Sequence, residues 1–440
     1  MSLYPPSESA RPGLPVEAAQ SAPGAADPPR WPDITREPPP APVRTAVAGR
    51  IVRGALERLP LRVRTPAGEV LGRGGPLLQL HDPDAFFRRI GRAGLIGFGE
   101  SYMAGEWDAP DLVGVLTVLA GHVGDLVPPG LQRLRGLWAR RHPARQRNTE
   151  GRAQENVHHH YDLSNELFAL FLDETMSYSS ALFRGLPASR SDLAAAQRRK
   201  IDRLLDLAEV GPGTRLLEIG TGWGELALRA AERGAHVVTT TLSAEQLALA
   251  RERIREAGHQ ERVTLLLRDY RQLTGSYDAV VSVEMIEAVG AEFWPVYFET
   301  VDRLLAPGGR AALQAITMPH ERMLATRRTY TWIQKYVFPG GFLPSLDALT
   351  RTARDATGLR LARQDAFGPH YAETLRLWRE RFTERAPDVA ALGFDSTFER
   401  MWTFYLAYSE AGFRSGYLDV RQLLLTRPDD TADPANEESA

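Results

Sequence analysis

One stretch limits the fold more than any other. "TRLLEIGTGWGELALRAAERG" (214–234) joins an apolar run, a glycine-spaced turn and a helical pattern closed by glycine. An apolar run without alternation reads as a strand buried on both faces, and such strands belong to parallel sheets covered by helices. The pattern then repeats. "HVVTTTLS" leads into the helix "AEQLALARERIREAG", and "RVTLLLRDY" and "YDAVVSVEM" read as a third and a fourth strand. After the helix "FWPVYFETVDRLL" and the turn "APGG", "RAALQAI" is the fifth strand. This alternation predicts an α/β fold, a Rossmann-like doubly wound sheet, with its ligand beyond the carboxyl ends of the strands.

The flanks differ. Residues 1–44 hold 12 of the 31 prolines, too little apolar surface to offset ordering entropy, so disorder is expected there. Residues 45–147 read as a smaller mixed domain with a basic linker. "LRVRTPAGEVLG" signals a hairpin around Pro66, Ala67 and Gly68, and the stretch 82–123 reads as helices broken by glycine. Between Leu131 and Arg152 seven arginines face one acid, Glu150. Such a run is a solvated helix or a patch for anionic lipid headgroups. Residues 148–427 form the alternating region, and 428–440 an acidic tail.

Composition excludes several functions. With no cysteine there is no disulfide, thiolate metal site or cysteine nucleophile. The histidines form no metal-ligand pattern, so no metal is expected. A net charge of -2 gives no footprint for nucleic acid. No apolar run approaches ~18 residues and no signal peptide is evident. The expected place is the cytoplasm, peripheral at the inner face of the membrane.

"EIGTGWG" places Gly220, Gly222 and Gly224 between the first strand and its helix, where bare backbone can approach a ligand. Glu218, an acid at the strand end, suits a cationic ligand better than a pyrophosphate. No Lys-Ser/Thr follows, which argues against a phosphate-binding loop. Asp269 ends the third strand, where a carboxylate can accept from an adenine amino group. Together these resemble the class I S-adenosylmethionine (SAM) methyltransferases. A dinucleotide-binding Rossmann fold is the alternative. Thr240 and Thr241 stand where the usual ribose-binding acid is expected.

Further segments narrow the resemblance: "HYDLSNELFALFLDETMSYSSALF" (160–183), "TLSAEQLALARERI", "DYRQL", "WIQKYVFPGGFLPS" and "FGPHYAETLRLW". Over roughly residues 150–426 the chain is similar to the cyclopropane-fatty-acyl-phospholipid synthases and mycolic acid methyltransferases. "GFGESYMAGEWDAPDL" (97–112) resembles the N-terminal lipid-binding domain of the phospholipid-acting members. The resemblance implies methyl transfer from SAM to the double bond of an acyl chain. It implies cofactor contacts at Tyr178, Ser179, Gly220, Gly222, Trp223, Thr241, Gln246, Asp269 and Tyr270, beside Glu218 and Gly224 of the loop. It also implies a homodimer and a bound bicarbonate as base.

At the end of the fourth strand "VVSVEMIEAVG" carries Glu284 and Glu287. Glu287 falls on the family glutamate that holds the base, Tyr371 on a tyrosine of the same site, and Ile316 on a position offering backbone. Ser180 stands at the family's cysteine, Gln314 and Ala288 at two of its histidines, and Glu284 at a position that is often glycine. Ser180 and Gln314 are expected still to hydrogen-bond an oxyanion. "SVEMIEAVG", "LQAITMPHERM" and "YSSALF" resemble an actinobacterial subgroup that converts oleoyl phospholipid to a 10-methylene-stearoyl chain, the precursor of tuberculostearic acid. A flavin reductase would then saturate the product. The alternatives are a cyclopropane synthase, a small-molecule methyltransferase and a non-catalytic lipid-binding module.

Overall fold

The computed structural model describes residues 30–36, 38–39, 41–123, 164–327 and 329–428. The arginine-rich run, the internal histidine run and the acidic tail lie outside them but for residue 428.

The N-terminal unit runs α1 (Pro32–Thr35), α2 (Pro42–Leu56), β1 (Arg62–Arg64), β2 (Val70–Leu71), β3 (Leu77–Leu80), α3 (Pro83–Ala93), α4 (Leu95–Met103), β4 (Trp107–Asp108) and α5 (Leu112–Gly121). Its small sheet has the order β2-β1-β3-β4. The expected hairpin joins β1 to β2, with Gly68 N donating to Thr65 O at 3.0 Å. Asp82 caps α3 by accepting from Ala85 N at 2.9 Å, and Gly94 ends it at a positive φ.

Residues 30–36 depart from the disorder expected across 1–44. Trp31 and Ile34 are buried, and Trp31 Nε1 donates to Asp395 Oδ2 at 2.7 Å. Two apolar side chains in a proline-rich stretch suffice to dock it.

The second region runs α6 (Asn165–Phe171), α7 (Leu193–Leu207), β5 (Arg215–Ile219), α8 (Glu225–Glu232), β6 (His236–Thr241), α9 (Ala244–Glu256), β7 (Val263–Leu267), β8 (Tyr277–Val283) and α10 (Ile286–Val289). It continues through α11 (Trp294–Leu304), β9 (Leu305–Thr317), α12 (His320–Thr326), α13 (Trp332–Tyr336), α14 (Leu346–Ala356), β10 (Arg360–Ala366), α15 (Gly368–Glu384), α16 (Ala386–Ala391), α17 (Ser396–Arg414) and β11 (Asp419–Thr426). The sheet has the order β10-β11-β9-β8-β5-β6-β7. The five expected strands, β5 to β9, are parallel, whereas β11 runs antiparallel between β9 and β10.

Alternate residues of the buried strands feed opposite faces. Leu216 packs with Leu204 of α7 and Ala227 of α8, while Leu217 packs with Phe298 of α11 and Leu349 of α14. Helices therefore cover both faces, as near-continuous apolar strands demand.

The N-terminal unit does not keep a core to itself. Leu61, Val63 and Trp107 belong to the same apolar cluster as Trp378 of α15 and Trp402 of α17. Phe404 binds the two regions, its ring 5.3 Å from Tyr102 and 4.8 Å from Trp332. Arg400 adds hydrogen bonds to Tyr102 O at 2.7 Å and Asp108 Oδ1 at 2.8 Å. Each fully buried tryptophan contributes on the order of 4–6 kcal/mol of transfer free energy before entropy is subtracted. Lys335 is held by Asp33 and Glu100, a further tie between the two regions.

Candidate active site

A cleft of about 230 Å³ opens at the carboxyl ends of β5, β6, β7 and β8. Its floor is the turn between β5 and α8. Gly220 and Gly224 take φ of +103° and +91°, where a side chain is strained, and a Cβ on Gly224 would lie 3.1 Å from Ala250 Cβ. Only glycine lets this loop turn so tightly against α9.

Most of the expected cofactor residues gather here. Tyr178, Ser179, Glu218, Thr241, Gln246, Asp269 and Tyr270 all line the cleft together with the loop. Glu218 is 3% exposed, its Oε2 has no hydrogen-bond partner, and burial pushes its carboxyl up to about 8. An unpartnered buried carboxylate oxygen is costly, so a cationic ligand would relieve it. Thr241 Oγ1 donates to Gln246 Oε1 at 3.0 Å, fixing the amide at the end of β6.

Two residues behave differently from expectation. The carboxylate of Asp269 is already engaged by Arg271, from Nε at 2.8 Å, Nη2 at 2.6 Å and the backbone N at 2.9 Å. Of its roughly four lone-pair sites about one is left for an adenine. Trp223 reaches the cleft, but its indole donates to Asn165 Oδ1 at 2.7 Å and packs on Phe168, 5.0 Å between centroids. Its side chain anchors α6 to the loop.

The second cluster lies at the end of β8. Its expected members do come together, around the other acid. Glu284 Oε1 accepts from Ser180 N at 2.9 Å and from Gln314 Nε2 at 2.7 Å, and Oε2 accepts from Tyr371 Oη at 2.6 Å. Glu287 accepts from Ile316 N, and its Oε2 has no partner. The grouping expected around Glu287 is thus corrected: Ser180, Gln314 and Tyr371 hold Glu284. The Ser180 hydroxyl was also expected to bind an oxyanion, but it donates to Ala181 O at 3.1 Å, and the backbone N–H does the work.

Positions relative to the cleft separate the acids further. Glu284 is half-buried and lines the cleft, whereas Glu287 is 9% exposed and lies behind it. Burial raises the Glu284 carboxyl, but hydrogen bonds from Tyr371 and Ser180, the charge of Lys200 and a bond from Gln314 oppose the rise. Burial, with the charge of Glu284 added, pushes Glu287 up to about 8. Both carboxyls thus stand above their ordinary range, but Glu284 has donors on both oxygens that favour its charged form, whereas Glu287 has one on a single oxygen.

Lys200 was not anticipated. It is fully enclosed, burial pushes its ammonium down to about 8, and Nζ donates to Ser179 Oγ at 2.6 Å. It shares the buried face of α7 with Ala196 and Leu204. A lone lysine at four-residue spacing within an apolar stripe was the signal available. The aromatic side chains of this region divide between core and site. Trp294, Tyr297 and Phe298 pack in the core under the sheet, while Trp378 stands 5.4 Å from Tyr178 and 6.2 Å from Tyr371, the tyrosine that bonds Glu284.

The family model described as mycolic acid cyclopropane synthetase matches residues 148–423. The chain belongs to this family. It is 56% identical to the tuberculostearic acid methyltransferase UfaA1 of Mycobacterium tuberculosis, over 94% of this chain and 99% of that protein. The cyclopropane-fatty-acyl-phospholipid synthase of Escherichia coli is 34% identical over 82% of this chain and 92% of its own length. Among solved structures, mycolic acid cyclopropane synthase CmaA1 complexed with SAH and CTAB is similar at a TM-score of 0.56 and 33% identity, covering 62% of this chain and 97% of that one. The chain is accordingly a class I SAM-dependent methyltransferase, and its cleft fits SAM: a bare-backbone turn beside a buried, unpartnered carboxylate oxygen. The three donors that a bicarbonate would use, Ser180 N, Gln314 Nε2 and Tyr371 Oη, are taken by Glu284.

Proposed function

We propose that this methyltransferase acts on the double bond of an unsaturated phospholipid acyl chain, oleoyl for example, and leaves a methylene branch such as 10-methylene-stearoyl. The observation that carries the reading is the cleft itself, which sets a cofactor loop beside Glu284, a carboxylate held by three donors, with Tyr178 in the same lining. Bound SAM supplies an electrophilic methyl group, and its addition to an alkene leaves a cation on the chain. That cation needs a dry site and one proton acceptor. Tyr178 lines the cleft with Trp378 packed 5.4 Å behind it, so an aromatic ring is at hand for a positive charge there. Relatives named for tuberculostearic acid and for phospholipid cyclopropanes support the acyl substrate.

A hydride shift between the two former alkene carbons, then proton loss from the new methyl, gives the methylene group. Cyclopropane closure omits the shift, and the 34% identical synthase favours it as the second reading. Among the described residues no helix is long and apolar enough to cross a membrane. Contact with the lipid surface would then be peripheral, through the N-terminal unit and the arginines of 131–152. Homodimerisation and a flavin-dependent reductase that consumes the product complete the proposal.

The experiment uses oleoyl phospholipid vesicles and SAM labelled with ¹³C in the methyl group. Vinylic =CH₂ carbon in the product spectrum is expected. A cyclopropyl resonance would move the assignment to ring closure, and no labelled lipid would remove it.

A further inference from the structure

We propose that Glu284 is the resident base of the reaction: its own carboxylate takes the proton that leaves the methylated chain, and no free bicarbonate is needed. The inference rests on the proposed acyl-chain reaction and adds the proton acceptor to it.

Three donors from separate parts of the chain converge on one point: Ser180 N from the loop after α6, Gln314 Nε2 from β9 and Tyr371 Oη from α15. Such a socket of donors is built for an oxyanion. Here it is filled by the side chain of Glu284. Gln314 is itself fixed, its Oε1 accepting from Gln422 Nε2 at 3.0 Å, so the socket is preorganised.

The backbone bends to put the carboxylate there. Glu284 has φ +49°, the left-handed region, at a cost of roughly 1–2 kcal/mol for a side-chain-bearing residue. Its N–H donates to Gln314 O at 2.7 Å, which holds the turn. Strain of this kind persists where surrounding bonds over-determine it, and it clusters at working sites. Glycine would take the turn without cost, so the carboxylate is what the position gains.

Access and charge favour the same residue. Glu284 lines the cleft and Glu287 does not. Burial raises the Glu284 carboxyl, and its three donors with the charge of Lys200 work against that rise; Glu287, raised by burial and by the charge of Glu284, has no such set of donors. The step balances. Glu284 accepts a proton from the transferred methyl, the C–H electron pair becomes the second bond of the methylene group, and the cation on the chain is neutralised. Water removes the proton from Glu284 once the product leaves.

The test measures methylated lipid from oleoyl phospholipid vesicles in carbonate-free buffer and after bicarbonate is added back. Wild type is expected to turn over equally in both. Glu284→Gln should lose about 100-fold in kcat while SAM Kd changes by less than about 3-fold, which also reports that the variant folds. Glu284→Gly vacates the socket and relaxes the backbone, so it should be inactive without bicarbonate and regain about 10-fold when bicarbonate or formate enters. Wild type that stalls until bicarbonate is added overturns the proposal, as does Glu284→Gln at the wild-type rate. No labelled lipid from wild type in either buffer overturns instead the acyl-chain reading beneath it.

Discussion

The two halves of the sheet's carboxyl rim are made of different material. The cofactor half is built on local turns, a glycine turn after β5, the end of β6 and the capped turn after β7, contiguous with the strands that carry them. The reacting half is assembled over distance, Glu284 meeting Ser180, Gln314 and Tyr371 from three segments 30 to 104 residues away along the chain. The first half is determined locally. The second depends on tertiary contacts that a single substitution rewires, as when a glutamate at a left-handed position captures the donors.

If the division is real, damage to each half has its own signature. The largest effect is the loss of chemistry in Glu284→Gln given above. Next comes Gly220→Val, which forces a β-branched side chain to φ +103°. A strain of roughly 1–2 kcal/mol should weaken SAM binding about 5- to 30-fold, measured by calorimetry, with little change in the methyl-transfer step at saturating SAM. Tyr371→Phe should lower kcat about 10-fold. It removes a donor that favours the ionised form of Glu284, so the acid limb of the kcat–pH profile should move to higher pH. The titrating groups that face Glu284 are Lys200, Tyr371 and Glu287, and an acid limb that moves to lower pH would contradict the assignment.

The smallest effect on rate is expected from Glu287→Gln, less than about 3-fold, since a protonated carboxyl and an amide are alike in shape and charge. Its signature is in stability. The folded protein holds Glu287 at about 8, against an ordinary glutamate value of 4.5, so the stability linked to that proton is complete below the lower value and lost as pH rises through the higher one. Thermal melts between about pH 6 and 9 should fall less steeply for Glu287→Gln than for wild type. Equal slopes would show that Glu287 is ionised in the folded state.

The same division explains what was legible in the sequence. β5 to β9, the glycine turn and the acid after β5 are read from apolar runs and spacing, because strand burial and bare backbone leave local traces. β10 and β11 left weak ones: Arg360–Ala366 is a mostly exposed edge strand rich in charge, without the apolar run of a central strand. The hairpin at Pro66 to Gly68 was legible from turn chemistry. Resemblance brought Ser180, Gln314, Ile316 and Tyr371 to one site, yet it centred them on Glu287. Which acid they hold depends on a φ angle and on three long-range donors, and no spacing encodes either. The docking of Trp31 was masked by the prolines around it.

The most direct test of the account is a single-turnover measurement on wild type, Gly220→Val and Glu284→Gln, with SAM affinity and methyl-transfer rate read from the same samples. The account predicts that Gly220→Val binds SAM weakly yet reacts at near the wild-type rate when saturated, and that Glu284→Gln binds SAM normally yet reacts about 100-fold more slowly. Loss of SAM affinity in Glu284→Gln as large as its loss of rate would contradict it.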